Sequence, residues 1–301
     1  MTVQASTRLR ALLNDPSQIV VGPGVYDGIT ARLALNAGFQ TLYMTGAGTS
    51  MSTLGMADLG LATMTEMRQN AEMIANIDRS VPLIADADTG YGGTLSVART
   101  TAAYISAGVA GFHLEDQVVN KKCGHLEGKQ LVSKEEYLTR IRAAVETKKR
   151  MGSDIVIIAR TDALQSLGLE ESLTRLEAAV DAGADVAFLE AITKREELVA
   201  VCERFKGKAP VMYGMVQGSS AYKVTVDEAK ALGVKIIVYA GACLMPTFVA
   251  VSQALKTLKE TGDCEQYGGG QWSPHKVFDA CGMKELMDFD RMIASNAANP
   301  K

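Results

Sequence analysis

The chain has 301 residues, 47% hydrophobic and 22% charged, enough for one barrel-sized domain or two ordinary ones with a sizeable core. Its 31 basic and 34 acidic residues leave a formal net charge of −3 with no basic block, which argues against nucleic acid or an anionic membrane as partner. No run of about eighteen uncharged apolar residues predicts a transmembrane helix, and the first twenty residues lack the apolar run of a signal peptide. The C-terminal ASNAANPK is no peroxisomal address. Five widely spaced cysteines, Cys123, Cys202, Cys243, Cys264 and Cys281, favour reduced thiols in the cytoplasm over a disulfide framework.

One pattern recurs along the chain. A helical stretch ends in Ala-Gly or Leu-Gly, and an apolar, β-branched run follows, as in LNAGFQTLYM, ISAGVAGFHL, VDAGADVAFL and KALGVKIIVY. Glycine just past a helix tolerates the left-handed conformation that ends it. An apolar run without strict alternation reads as a strand buried on both faces, hence parallel. In chain order the predicted strands are 19–22, 41–44, 83–86, 111–115, 155–160, 186–190, 211–213 and 236–239. Amphipathic stretches lie between them; one carries Leu173, Leu176 and Val180 on one face, with Glu170, Arg175 and Glu177 elsewhere. Eight strand–helix alternations predict an α/β fold, a closed (β/α)8 TIM barrel forming a single domain over 1–301. The rival, an open doubly wound sheet, calls for a glycine-rich phosphate turn that GPGVYDG matches poorly. From about residue 247 the chain reads as a final helix and a polar arm with Gly268-Gly269-Gly270 and Trp272, either docking on a second subunit or free.

Active sites of such barrels form at the C-terminal strand ends. There the sequence places Tyr43-Met44-Thr45-Gly46-Ala47-Gly48, Asp86-Ala87-Asp88, Glu115-Asp116, Arg160-Thr161-Asp162 and Glu190. Several carboxylates at one rim repel unless a cation sits among them. An all-oxygen donor set favours Mg²⁺, with Mn²⁺ possible, over Zn²⁺. Helix capping by Asp86 and Asp88 is the plainer alternative, and it accounts less well for four acids at successive strand ends. Arg160 suits a substrate carboxylate or an ion pair with Glu190. The turn Thr45-Gly46-Ala47-Gly48 can offer backbone N–H groups to an anion. Residues 118–132 read as a lid, and Cys123, beside Lys121, Lys122 and His125, predicts a lowered thiol pKa. His113, within strand four, reads as a satisfied interior histidine.

Together YMTGAG, ADADTGYG, FHLEDQ, KKCGHL, ARTDA and FLEA resemble the isocitrate lyase / phosphoenolpyruvate mutase superfamily, nearest its branch of 2-methylisocitrate lyase, 2,3-dimethylmalate lyase and oxaloacetate acetylhydrolase. The resemblance implies a C-terminal helix swapped between subunits of a homotetramer. It implies Mg²⁺ held by Asp86, with Asp88, Glu115 and Asp58 acting through waters. Tyr43, Thr45, Gly46 and Ala47 would hold a small 2-oxo carboxylate, with Gly124 and His125 touching it from the lid. Arg160 and Glu190 would bind and orient substrate oxygens, and Cys123, assisted by His125, would be the acid/base of a carbon–carbon lyase. The chain departs from the pattern Asn-Met-x-Glu-x-Gly-x-Thr-Pro after strand seven, reading Gly214-Met215-Val216-Gln217-Gly218-Ser219-Ser220-Ala221-Tyr222. Strand eight ends Tyr239-Ala240-Gly241, where the lyases carry proline and the acetylhydrolases serine. These departures imply altered distal recognition. The alternatives are a C–C hydrolase of the oxaloacetate type, a binding protein that has lost catalysis and, disfavoured by Cys123, a phosphonate mutase.

Overall fold

The computed structural model describes residues 3–263 and 273–298. In chain order it runs α1 (Ala5–Asn14), β1 (Val20–Val25), α2 (Gly28–Asn36), β2 (Leu42–Met44), α3 (Gly46–Leu54), α4 (Met64–Ala75), β3 (Leu83–Asp86), α5 (Thr94–Ala107) and β4 (Gly111–Glu115). Then follow α6 (Lys134–Arg150), β5 (Val156–Thr161), α7 (Leu164–Asp181), β6 (Val186–Leu189), α8 (Arg195–Phe205), β7 (Val211–Met215), α9 (Val226–Leu232) and β8 (Val234–Tyr239). The chain ends in α10 (Leu244–Thr261), α11 (Pro274–Ala280) and α12 (Met283–Ala298). All eight strands are parallel, and β1 pairs with β8 as well as β2, so the sheet closes into a (β/α)8 barrel without an edge.

Apolar runs without alternation become strands because both faces are covered. Val20, Tyr43, Ile84, Val156, Ile158, Val186, Phe188, Met212, Ile236 and Val238 fill the barrel, and Leu9 of α1 plugs its base. Ile157, Leu189 and Ile237 face outward under the helices. Each such side chain contributes roughly 1.5–3 kcal/mol by leaving water. The helix ends follow the glycine signal: Gly108 and Gly233 take φ of +86° and +98° as the caps of α5 and α9.

Strand one is longer than the sequence suggests, running through Pro23 and Gly24 to Val25. Gly24 is required there, because a Cβ would overlap the carbonyl of Ala240, just past β8. The last helices depart from the barrel. No residue of α10 is buried, and Phe248, Leu255, Phe278, Leu286 and Phe289 lie between 58% and 69% exposed. The Gly268–Gly270 run, Trp272 and Cys264 fall outside the described residues. Among the described residues no helix is long and apolar enough to cross a membrane.

Candidate active site

The acidic residues converge because the strands deliver them to one rim. Asp86 ends β3 and Glu115 ends β4, and both are buried. Between them the chain turns sharply, with Asp88 at φ 46° and Tyr91 at φ 64°. Left-handed conformations at such residues are costly and persist only where neighbours fix them. Here Asp88 N–H donates to Asp86 Oδ1 at 2.8 Å, and Glu115 N–H donates to the Asp88 carbonyl at 2.9 Å. The start of α3 presses on the same carboxylate: a Cβ on Gly46 would overlap Asp86 Oδ2. Asp58, buried in the loop between α3 and α4, completes the cluster.

Burial pushes the carboxyl of Asp86 up, that of Asp88 to about 6 and that of Glu115 well above the ordinary range. The cluster therefore demands positive charge. Part of it comes from Lys121, which sequence reasoning had assigned only to the thiol's surroundings. Its buried Nζ pairs with Asp58 Oδ1 and stands 2.6 Å from Asp88 Oδ1. Burial disfavours the ammonium, but Asp88, Asp58 and Asp86 outweigh it and hold Lys121 protonated. Glu115 stays short of partners. Arg160 Nε is 3.2 Å from its Oε2, yet neither Glu115 oxygen accepts a hydrogen bond. Orphaned buried carboxylate oxygens and an all-oxygen donor set fit a hard divalent ion. Among the described residues no three His, Cys, Asp or Glu groups stand close enough to chelate an ion by themselves, so the fit is to an ion held partly through waters.

Arg160 ends the inward face of β5 and is buried. It forks onto Asp162, donating from Nε to Oδ2 at 2.9 Å and from Nη2 to Oδ1 at 3.0 Å. Its contact with Glu190 Oε2 is longer, 3.9 Å. The ion pair expected with Glu190 is thus secondary, and Asp162, which sequence reasoning left without a role, orients the guanidinium. Glu190 lies 3.0 Å from His125 Nε2. Burial alone would raise the Glu190 carboxyl; Arg160, then His125, outweigh it and hold it down at about 2. A Cβ on Gly124 would overlap Arg160 Nη2 and Glu190 Cγ, so the close approach of this segment to the pair requires glycine.

The segment after β4 lies over the barrel mouth. Cys123 N–H donates to the Asp58 carbonyl at 3.1 Å, and Lys129 Nζ reaches the Gly124 carbonyl and lies 3.5 Å from Asp162 Oδ1. Its sequence suggested a lowered thiol pKa for Cys123, and the structure corrects this. Burial pushes the thiol up to about 11, helped by Asp58 and Glu190; the His125 N–H and Arg160 oppose it without prevailing. The flanking side chains are committed elsewhere, Lys121 to the acids, Lys122 to the Glu127 carbonyl and His125 to Glu190. Cys123 is therefore a thiol, not a thiolate, at neutral pH.

Tyr43, at the inward face of β2, bonds through its hydroxyl to His113 Nε2 at 3.0 Å. Burial drives the His113 imidazole to about 3, so the ring is neutral and its approach to Asp86 Oδ1, 3.5 Å from Nδ1, is not an ion pair. His113 is interior, as expected, but its Nδ1 lacks a hydrogen bond. Thr45 caps α3, accepting from Gly48 N–H at 3.3 Å, which leaves the amides of Gly46 and Ala47 in the first turn of that helix. The wall at the ends of β7 and β8 is built of small residues. Gly214 lies against the Phe188 ring and Ala240 packs on the barrel interior. Gln217 Oε1 accepts from Gly241 N–H at 3.1 Å, tying the segment after β7 to the segment after β8.

The family profile described as phosphoenolpyruvate phosphomutase matches residues 9–259. A 2,3-dimethylmalate lyase of Eubacterium barkeri is 41% identical over 85% of this chain and 87% of its own length. Among solved structures, a 2,3-dimethylmalate lyase superposes with TM-score 0.94 at 50% identity, covering 100% of this chain and 99% of the other. An oxaloacetate acetylhydrolase bound to 3,3-difluorooxalacetate gives 0.93 at 48% identity, covering 97% of both chains. A phosphonopyruvate hydrolase complexed with oxalate and Mg²⁺ gives 0.84 at 26% identity over 99% of this chain and 100% of that one. With its acids, arginine and lid thiol gathered at the mouth of one closed barrel, the chain belongs to the PEP mutase/isocitrate lyase superfamily.

Proposed function

We propose that this enzyme is a Mg²⁺-dependent carbon–carbon lyase of a 2-hydroxy dicarboxylic acid, releasing a 2-oxo acid and a carboxylate. The observation that carries the reading is the set Asp58, Asp86, Asp88 and Glu115 facing Arg160 beneath a lid that brings down a protonated thiol. Asp86 would hold the ion, with Asp88, Glu115 and Asp58 acting through waters. When bound, Mg²⁺ (or Mn²⁺) supplies Lewis acidity to the oxygens of the 2-oxo acid half. The first-turn amides of Gly46 and Ala47 bind the head carboxylate, with Tyr43 and Thr45 beside it. Arg160, fixed by Asp162 and Glu190, stabilises charge that develops as the bond breaks. Gly124 and His125 close over the substrate and exclude water. As the carbon–carbon bond breaks, the 2-hydroxyl gives its proton to the Glu190 carboxylate and becomes the carbonyl, and Cys123 Sγ donates its proton to the carbanion carbon.

The segments after β7 and β8 bring no cation to the mouth. Neither residues 214–222 nor residues 239–255 contain a lysine or arginine. The wall at Gly214 and Ala240 therefore suits an uncharged substituent better than a further carboxylate. Purified protein with Mg²⁺ and a panel of 2-hydroxy diacids, 2-hydroxy tricarboxylic acids and oxaloacetate, followed by NMR, tests this. Cleavage of alkyl-substituted diacids, at least about tenfold faster than of tricarboxylic acids, is expected, since a carboxylate at this wall finds no cation and has Glu190 nearby, at a cost of about 1.4 kcal/mol or more. Oxalate and acetate from oxaloacetate as the dominant products would favour the hydrolase, a reading supported by the likeness to the acetylhydrolase. No turnover of any panel member would leave the lapsed binding protein.

The exposed apolar faces of α10, α11 and α12 support an arm, from about residue 247, that docks on a second copy of the chain in a homotetramer. Light scattering is expected to give four times the chain mass; a monomer would refute the swap. Free thiols at Cys123, Cys202, Cys243 and Cys281 support a reducing, cytoplasmic setting.

A further inference from the structure

Two buried arginines lie outside the catalytic set, and both end on the lid. Arg140 of α6 donates from Nη1 to the carbonyl of Gln117, where the lid leaves β4, at 2.7 Å. Arg175 of α7 donates from Nη1 to the carbonyl of Val132, where the lid returns, at 3.0 Å. The two lid ends also pair with each other through the Gln117–Leu131 bridge and the bond from Val132 N–H to the Asp116 carbonyl.

Each anchor leads on to the chemistry. The side-chain amide of Gln117 clasps the backbone of Lys122, donating to its carbonyl at 2.9 Å and accepting from its N–H at 3.1 Å. Lys122 stands between Lys121, which reaches the acids, and Cys123. Arg175 Nη1 also donates to Asp116 Oδ2 at 3.1 Å, and Asp116 Oδ1 accepts from the N–H of Asp162 at 2.9 Å. Asp162 is the carboxylate that forks Arg160. The position of the lid and the aim of Arg160 thus share one buried support.

We propose that Arg140 and Arg175 are positioning residues, which clamp the two ends of the lid and so hold Cys123 and Arg160 in register across the bound substrate. This rests on the reading of residues 118–132 as a lid over the active site. A guanidinium bound to a backbone carbonyl in a buried place fixes the direction of that carbonyl, and loss of the donor leaves it unsatisfied.

Amide hydrogen exchange on the whole protein, without substrate, tests the clamp directly. In Arg175→Met and in Arg140→Met, exchange of lid amides 118–131 should rise at least about tenfold, while β4 and β5 amides stay within about twofold of wild type. Turnover of the cleaved substrate should fall mainly in kcat, with a smaller change in KM. Arg175→Lys should regain part of the lid protection, since charge and donors return without the fixed fork. Should Arg175→Met fail to fold, Arg140→Met carries the test, because it leaves Asp116 and Asp162 untouched. Unchanged lid exchange, faster exchange in β4 and β5 in step with the lid, or a loosened lid with unaltered kcat would each overturn the proposal. A wild type that cleaves none of the acids would instead refute the lyase reading and leave the exchange result standing.

Discussion

Asp86→Ala should abolish divalent-dependent turnover, a loss of at least about a thousandfold given that a Lewis-acid ion contributes several kcal/mol to a charged transition state. Three features make Asp86 the most sensitive position. It ends β3 at the mouth, it is buried, and its Oδ2 lies so close to the start of α3 that any side chain at Gly46 would overlap it. The substitution also removes the acceptor for Asp88 N–H, which steadies a turn at φ 46°. Asp86→Asn keeps that acceptor and removes only the charge. The expected result is therefore loss of Mg²⁺ binding by calorimetry in both variants, with the Asn variant closer to wild type in Tm. An Asp86→Ala protein with unchanged activity would eliminate the metal reading.

How much of this was legible in the sequence depends on what each residue's neighbours are. The eight strands were legible because burial on both faces leaves an unbroken apolar run, and because Gly108 and Gly233 mark helix ends by the one conformation that favours them. The extension of β1 was not, since Pro23 and Gly24 read locally as a turn; only contact with Ala240 across the sheet shows why glycine stands in a strand. Asp86, Asp88 and Glu115 follow from strand ends, whereas Asp58, in the loop between α3 and α4, follows only from the resemblance. Lys121 and Cys123 do not follow from strand ends either, because a loop has no period that says which side chain turns inward. Hence the expected lowering of the thiol pKa turns into a rise, since Lys121 is spent on Asp58 and Asp88. Arg175 was placed away from the apolar face of its helix, yet it is buried. That helix is covered over a wider arc than its apolar stripe, because the returning lid end at Val132 lies against it.

The thiol's raised pKa sets the second large effect. A residue that protonates a carbanion must carry its proton at working pH, and burial beside Asp58 and Glu190 gives Cys123 a value of about 11. The sign follows: a required acid is active below its pKa, so turnover should hold on the alkaline side and fall only as pH approaches that value. Cys123→Ser keeps the backbone donor to Asp58 and almost the same volume, but a hydroxyl is a far weaker acid than a thiol. Its kcat should fall at least about a hundredfold, the usual size of a general-acid contribution, with KM little changed because the lid still closes. NMR in D₂O gives an independent reading. If Cys123 delivers the proton from one face, deuterium enters the carboxylate product of the wild type in one configuration, and the Ser variant loses that selectivity. Unaltered kinetics in Cys123→Ser would favour the hydrolase, where a protonating thiol matters less, and would leave Arg160 and the acidic cluster as the whole of the catalytic machinery.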